Sequence, residues 1–354
     1  HRDLHYPLRR QRQMCIRDSN RVMLKPSEWT PKTSTLLAEL ASEAFEPDEF
    51  AVFEGGIETG RAFAELPFDH LLFTGSTRVA KEVSNSAAKN LTPLTLELGG
   101  KSPALVCPGA NLKRAAERIV FGKLANAGQI CIAPDYVFVE RAKFHDFIEM
   151  LQTCIKKAYP CLNNNPDYTS IISADHFTRL NRMIEEARED GAEIISINPD
   201  GETLEPSARK IPPTLILRPN PTLGVMQEEI FGPILPVLSY EKIEEAIEFV
   251  QHRARPLALY LFTEKTRERE RILRETVSGG VAVNEVLFHC VCGTLPFGGV
   301  GASGMISYHG QAGFDTFSHL KPVFIQPRFN FNFFLVPPIT PMKRLFAKIF
   351  RKLV

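Results

Sequence analysis

"HLLFTGSTRVAKEVSNSAAKN", His70 to Asn90, decides the class of fold. "HLLFTGS" reads as a short strand closed by the turn residues Gly75 and Ser76, and "TRVAKEVSNSAAKN" follows with a helical pattern. Upstream, "RVMLK" and "FAVFEGG" read as strands. Between them "TPKTSTLLAELASEAF" reads as a helix with Leu36, Leu37, Leu40 and Phe45 available for a buried stripe. Downstream of "LTLELGGKSPALVC" a helix begins at Asn111, a good cap, with Leu112, Ala116, Ile119, Val120 and Leu124 on its apolar face. It is expected to end near Gly128, and "DYVFVE" resumes as a strand. Strand, helix, strand, helix predicts a parallel sheet with crossover helices, an α/β fold. "KFHDFIEMLQTCIKKAY", "HFTRLNRMIEEAREDG", "ILPVLSY", "KIEEAIEFVQH", "LALYLFT" and "GGVAVNE" continue the alternation through a second α/β region.

At 354 residues the chain is long enough for two or three domains. Lys plus Arg number 42 against 41 Asp plus Glu, so no global basic field supports binding to nucleic acid. Seven cysteines are spread thinly, which favours a reducing compartment, and a cytoplasmic location is expected. The one tight pair, Cys290-Val291-Cys292, has no second pair near it, so no metal site is expected. No stretch approaches the roughly 20 apolar residues of a spanning helix.

Residues 1–19 differ from the rest. They carry Arg2, Arg9, Arg10, Arg12 and Arg17 with little apolar periodicity, and the composition changes at Asn20. A targeting peptide is one reading, but Asp3 and Asp18 intrude and no amphipathic stripe is present. A foreign or misread segment joined to a truncated domain is the preferred one.

Cys131, in "NAGQICIAPDYV", stands where a helical pattern stops and a strand begins, a place where a scaffold holds a side chain on a short, anchored connection. Two readings are open: a nucleophile, which needs nearby N–H dipoles, a cation or a base to become a thiolate, or a buried structural cysteine. Gly128 permits close approach of backbone or ligand. Glu97, between two leucines before Gly99-Gly100, is either a desolvated carboxylate usable as a general base or an exposed edge-strand glutamate. Gly75 and Ser76 of "FTGST" are either a phosphate site at a helix N-terminus or an ordinary turn. Lys25 and Glu28 of "LKPSE" sit at a strand end, where they are either ligands for ribose hydroxyls or solvated charges. "GVGASG", Gly299–Gly304, fits a dinucleotide pattern but follows no strand, and is read as a loop.

Taken in order, "LKPSE", "FTGST", "LELGGKSP", "NAGQIC", "EEIFGP" and "LPFGGVGASG" resemble the aldehyde dehydrogenase superfamily. "NEVLFH" and "GMISYHGQAGFDTFSHLKPV" are similar to its coniferyl aldehyde dehydrogenase branch, and the resemblance covers Asn20 to about Val323. It implies the aldehyde dehydrogenase fold: a Rossmann-like cofactor domain, incomplete at its N-terminus, over residues 20–97, and an α/β catalytic domain over 98–300. Residues 301–354 are the C-terminal segment. It implies NAD as cofactor, with NADP the alternative, a small-molecule aldehyde as substrate, and a homodimer.

By the same resemblance Cys131 is the catalytic thiol and Glu97 activates the water that releases the acid. Lys25 and Glu28 lie at the adenosine ribose, Gly75 and Ser76 at the pyrophosphate, and Glu229 and Phe231 at the nicotinamide ribose and ring. Glu28 favours NAD, because a carboxylate accepts bonds from hydroxyls and repels a 2′-phosphate. Aromatic or medium-chain aliphatic aldehydes are expected. Cys290 and Cys292 replace a more polar run, either altering the mouth of the aldehyde site or varying neutrally.

The chain also departs from the family. The side-chain oxyanion donor, an Asn upstream of "KPSE", is absent, and losing one such donor costs about 10²–10³ in rate. Strands expected before Asn20 are missing, which leaves an exposed sheet edge. An inactive homologue that only binds or assembles is therefore an alternative, and ester hydrolysis by Cys131 without cofactor is another. The tail "PMKRLFAKIFRKLV" places Leu345, Phe346, Ile349, Phe350 and Leu353 on one face, with Lys343, Arg344, Lys348, Arg351 and Lys352 largely elsewhere. Such a helix suits peripheral membrane contact, packing over the active-site entrance, or a partner subunit.

Overall fold

The computed structural model describes residues 20–330, 332–334 and 336–351. The segment 1–19, set apart on composition, and Lys352 and Leu353 of the tail lie outside the described residues. The chain divides into two compact units, His1–Phe317 and Ser318–Val354.

A seven-stranded sheet dominates the first unit. Its strands are β5 (Pro103–Val106), β6 (Tyr136–Glu140), β7 (Glu193–Ser196), β8 (Thr214–Leu217), β9 (Ile234–Tyr240), β10 (Ala258–Phe262) and β11 (Gly280–Val283). They lie in the order β11-β10-β5-β6-β9-β8-β7, all parallel except the β7–β8 edge pair. Every residue of β5, β8 and β10 is buried, as strands covered on both faces require, and this is why they read as unbroken apolar runs. On one face pack α4 (Leu112–Leu124) and α5 (Phe144–Ala158), through Ala116, Ile119, Phe147 and Leu151. On the other pack α6 (Ala174–Glu189), α8 (Ile243–Gln251) and α9 (Thr266–Glu275), through Leu180, Met183, Ile247 and Ile272. Each such side chain contributes about 1.5–3 kcal/mol by leaving water. A one-turn helix, α7 (Gly224–Gln227), leads into the segment that bears Glu229.

The remaining strands form two small sheets. β1 (Val22–Leu24) pairs in parallel with β2 (Phe50–Val52), with α1 (Pro31–Ala44) as the crossover. β3 (Leu71–Thr74) pairs in parallel with β4 (Leu94–Glu97), crossing through α3 (Thr77–Ala88), and α2 (Ile57–Ala64) joins β2 to β3. β12 (Gly304–Met305) adds to the other side of β4 in antiparallel register, and α10 (Gly310–Thr316) follows it.

Three sequence expectations need correction here. The alternation predicted one parallel sheet, whereas β2 and β3 belong to different sheets; a period-two pattern identifies a strand but not its partner. In α1, Leu36 and Leu40 are 53% and 52% exposed, so only Leu37 and Phe45 of the proposed stripe are even half-buried. The inward face is set instead by Ala41 and Ser34, whose hydroxyl bonds back to the carbonyls of Ser27 and Thr30, both at 3.0 Å. Finally, α4 stops at Leu124, because Asn126, Ala127 and Gly128 all take positive φ (50°, 51° and 76°) in a short 3₁₀ turn.

In the second unit α11 (Pro341–Phe350) is capped by Thr340, whose hydroxyl accepts from the Lys343 N–H at 3.4 Å. Lys343, assigned to the polar face, is instead the buried residue of this helix. Its ammonium donates to the Val336 carbonyl at 2.7 Å and sits 4.2 Å from the Phe333 ring centroid. Leu345, Ile349 and Phe350 are exposed. Among the described residues no helix is long and apolar enough to cross a membrane.

Candidate active site

The turn after α4 presents Cys131. Its three positive-φ residues are held by reciprocal bonds, Asn126 Nδ2 to the Gln129 carbonyl at 3.2 Å and Gln129 Nε2 to the Asn126 carbonyl at 3.1 Å. Gln129 also donates to Ser170 O at 3.1 Å and accepts from Ile172 N at 2.9 Å, which ties the turn to a distant segment. A side chain at Gly128 would collide with the Gly232 carbonyl, so only glycine allows this approach. Beyond the cysteine, Tyr260 OH fastens the Ile132 carbonyl at 2.5 Å. Cys131 is half-buried and free.

Glu97 closes β4. It is 3% exposed, and neither carboxylate oxygen has a hydrogen-bond partner among the described residues. Burial pushes its carboxyl up to about 8, which sets aside the exposed edge-strand alternative. Burial, followed by the carboxylates of Glu229 and Glu97, pushes the Cys131 thiol up to about 11, opposed by the residue's own backbone N–H. The three groups therefore share one electrostatic neighbourhood, in which both acids act on the thiol.

Glu229 packs against Gly99 so closely that a Cβ at that glycine would collide with its carboxylate. Burial and the neighbouring Asp135 push its carboxyl up to about 8. Its Oε1 is buried without a partner among the described residues. That orphan acceptor beside a glycine-lined approach fits a ligand hydroxyl, as the nicotinamide ribose would supply. Phe231 follows with φ 53°, so the chain turns sharply after Ile230.

The other proposed cofactor residues lie on the small sheets. Lys25 and Glu28, just beyond β1, form an ion pair at 2.8 Å that holds the Glu28 carboxyl below its usual range. Trp29, the sole tryptophan, adjoins them, 51% exposed, with its backbone N–H donating to Ser27 Oγ at 3.2 Å. Ser76 caps α3 by accepting from the Val79 N–H at 3.3 Å. The Gly75 N–H, offered by the sequence as a phosphate donor, is already bonded to the Glu97 carbonyl at 3.0 Å. Gly75 thus fixes the turn against β4, while the exposed Ser76 faces solvent. Cys131, Glu97 and Glu229 come together; among the described residues no hydrogen bond joins Lys25–Glu28 to Gly75–Ser76.

Several site residues escaped the sequence reading. Asp135, Lys101 and Lys123 form a buried charge cluster, with Lys101 Nζ 2.5 Å and Lys123 Nζ 3.6 Å from the Asp135 carboxylate. Lys123 left a signal, since Ala116, Ile119, Val120 and Lys123 fall at helical spacing on one buried face. The "GVGASG" segment is not merely a loop: Ser303 accepts from the Leu98 N–H at 3.1 Å and Gly304 pairs with Glu97. Among the described residues no group of three or more His, Cys, Asp or Glu could hold a metal ion.

The model of the aldehyde dehydrogenase family matches residues 11–323. Coniferyl aldehyde dehydrogenase of Pseudomonas sp. is 50% identical over 308 residues, covering 87% of this chain and 64% of that protein. The chain thus spans somewhat less than two thirds of the length of that curated relative. The substrate-bound Staphylococcus aureus AldH superposes with a TM-score of 0.85 at 42% identity, over 94% of this chain and 71% of that one. A Mycobacterium tuberculosis aldehyde dehydrogenase complexed with NAD+ gives 0.79 at 29% identity, over 88% and 65%.

Proposed function

The chain belongs to the aldehyde dehydrogenase family, and on that premise we propose that it oxidises an apolar aldehyde to the carboxylic acid with NAD, through a covalent bond to Cys131. The observation that carries this reading is the buried, unpartnered Glu97 carboxyl acting on a free Cys131 thiol. An acid of raised pKa beside a nucleophile is what base-assisted hydrolysis of a covalent intermediate needs.

The Cys131 thiol releases its proton to solvent and the thiolate sulfur attacks the carbonyl carbon; a C–S bond forms and the carbonyl electron pair moves onto oxygen. The Cys131 backbone N–H is the donor proposed for that oxygen; among the described residues no carbonyl takes it. NAD, when bound, supplies the acceptor for the hydride that leaves the thiohemiacetal carbon, and a thioester on Cys131 remains. Glu97, ionised, takes a proton from the water that attacks the thioester, releasing the acid and the thiolate. Lys25 and Glu28 would hold the adenosine ribose and Gly75 and Ser76 would lie at the pyrophosphate. Glu229 would hold the nicotinamide ribose, with Phe231 beside the ring.

The 50% identical relative named for coniferyl aldehyde supports an aromatic, conjugated substrate over a medium-chain aliphatic one. The test is NADH formation, followed by absorbance, with coniferyl aldehyde or octanal and with Cys131→Ala as control. Turnover that depends on Cys131 and is faster with the aromatic aldehyde is the expected result. A folded chain that binds NAD yet turns over neither aldehyde would overturn the proposal in favour of a binding role.

A further inference from the structure

The Asp135 carboxylate is buried, and it ties together the three segments that bear the reacting groups. Its own N–H donates to the Ser102 carbonyl at 2.7 Å, fastening the segment after Cys131 to the segment after Glu97. Its carboxylate takes the Lys101 ammonium at 2.5 Å and the Ile230 N–H at 3.2 Å. Lys101 in turn donates to the carbonyls of Val225 at 2.9 Å and Glu228 at 3.0 Å. The backbone on both sides of Glu229 is therefore held by one buried ion pair.

Arg179 of α6 grips the same stretch from the other side, through the carbonyls of Glu229 at 3.1 Å and Ile230 at 2.6 Å. The Glu229 carboxylate has a weaker anchor of its own, the Gly100 backbone N–H, and its Oε1 lacks a partner among the described residues. Its place against Gly99 is set chiefly by the bonds to the backbone on both sides of it. Lys123, 2% exposed and with no acceptor within hydrogen-bond distance of its ammonium among the described residues, adds a second positive charge facing Asp135. Buried charges of this kind are costly unless paired, and the pairing here converges on the one segment that presents Glu229.

We propose that Asp135, paired with Lys101, is a positioning residue: it sets the Glu229 carboxylate where the nicotinamide-side ribose of NAD would meet it, and so governs the strength with which that half of the cofactor is held. The inference rests on the dehydrogenase reading above. It assigns Asp135 no contact with substrate or cofactor; it acts through Glu229.

The test is calorimetric titration of the full chain with NAD and, separately, with AMP, which carries the adenosine half alone. In Asp135→Asn the affinity for NAD should fall about tenfold or more, the scale of lost hydrogen bonds to a charged group, while AMP affinity stays unchanged. KM for NAD should rise correspondingly, and Lys101→Arg, which keeps the charge, should retain more NAD affinity than Lys101→Met. Because Asp135→Asn takes the counter-ion from two buried ammonium groups and so weakens the fold, the double variant Asp135→Asn with Lys101→Met is measured alongside it by the same comparison. Parallel losses for NAD and AMP, or no loss for either, would overturn the positioning role while leaving the dehydrogenase reading intact. A wild-type chain that binds AMP but gains nothing from the nicotinamide half would sink both.

Discussion

Glu97 lies directly across an antiparallel register from Gly304, so the proposed base and a glycine far downstream share one rung of a sheet. Gly304 has φ 154°, and an added Cβ would overlap the Leu96 carbonyl oxygen. Gly304→Ala should therefore expel β12 and unseat Glu97. A loss of about 1–3 kcal/mol, the usual scale for a strained backbone position, is expected in denaturant unfolding. Turnover should fall with it, and a variant of wild-type stability and rate would show that the rung does not matter.

Hydrolysis of the covalent intermediate should depend on Glu97 in its ionised form. With its carboxyl at about 8, turnover of the wild type should rise with pH through that value, because only the carboxylate accepts the water's proton. Glu97→Gln should slow steady-state turnover by about 10²–10⁴ and accumulate thioester on Cys131, detectable by intact mass. A Gln variant that keeps the wild-type pH profile would assign the base elsewhere.

The same carboxyls make stability depend on pH. Glu97 and Glu229 each lie near 8 in the fold against about 4.5 unperturbed, so the folded chain keeps protons that the unfolded chain has lost. Stability should therefore fall as pH rises from about 5 to about 8. Lys123, lowered to about 8 by burial, works in the opposite sense only between about 8 and 10.5, where the unfolded chain binds the extra proton. Melting temperatures across this range should fall less steeply for Glu97→Gln than for wild type; identical slopes would remove Glu97 from the account.

Nucleotide choice should rest on the Lys25–Glu28 pair. Placed at the adenosine ribose as proposed, the Glu28 carboxylate would accept from a ribose hydroxyl and repel a 2′-phosphate, so NAD should bind more tightly than NADP. Glu28→Gln should weaken NAD and narrow or invert the ratio of the two dissociation constants. An unchanged ratio would place the discriminating group elsewhere.

Local chemistry in the sequence located much of this site. Asn111 caps its helix as expected, accepting from the Arg114 N–H at 3.0 Å, and Cys131 stands on a rigid connection as its setting suggested. Glu97 was legible because a carboxylate between leucines on an apolar strand has few places to go but inward. What escaped depends on partners remote in the chain. Nothing around Gly304 announces a strand, since the edge it completes belongs to Leu96 and Glu97. Leu36 and Leu40 look like a buried face until one knows that β1 and β2 form only a two-stranded sheet. The Asp135 cluster is assembled from three separated segments, so helical spacing could signal the burial of Lys123 but not its partners.

Trp29 stands next to the ion pair expected at the adenosine ribose, and the chain contains no other indole. The exposed Trp29 would give the protein an optical reporter at the proposed adenosine end of the cofactor site, remote in sequence from the thiol. Nucleotide arrival should then be visible in the emission of the unlabelled protein, separately from anything that happens to the aldehyde.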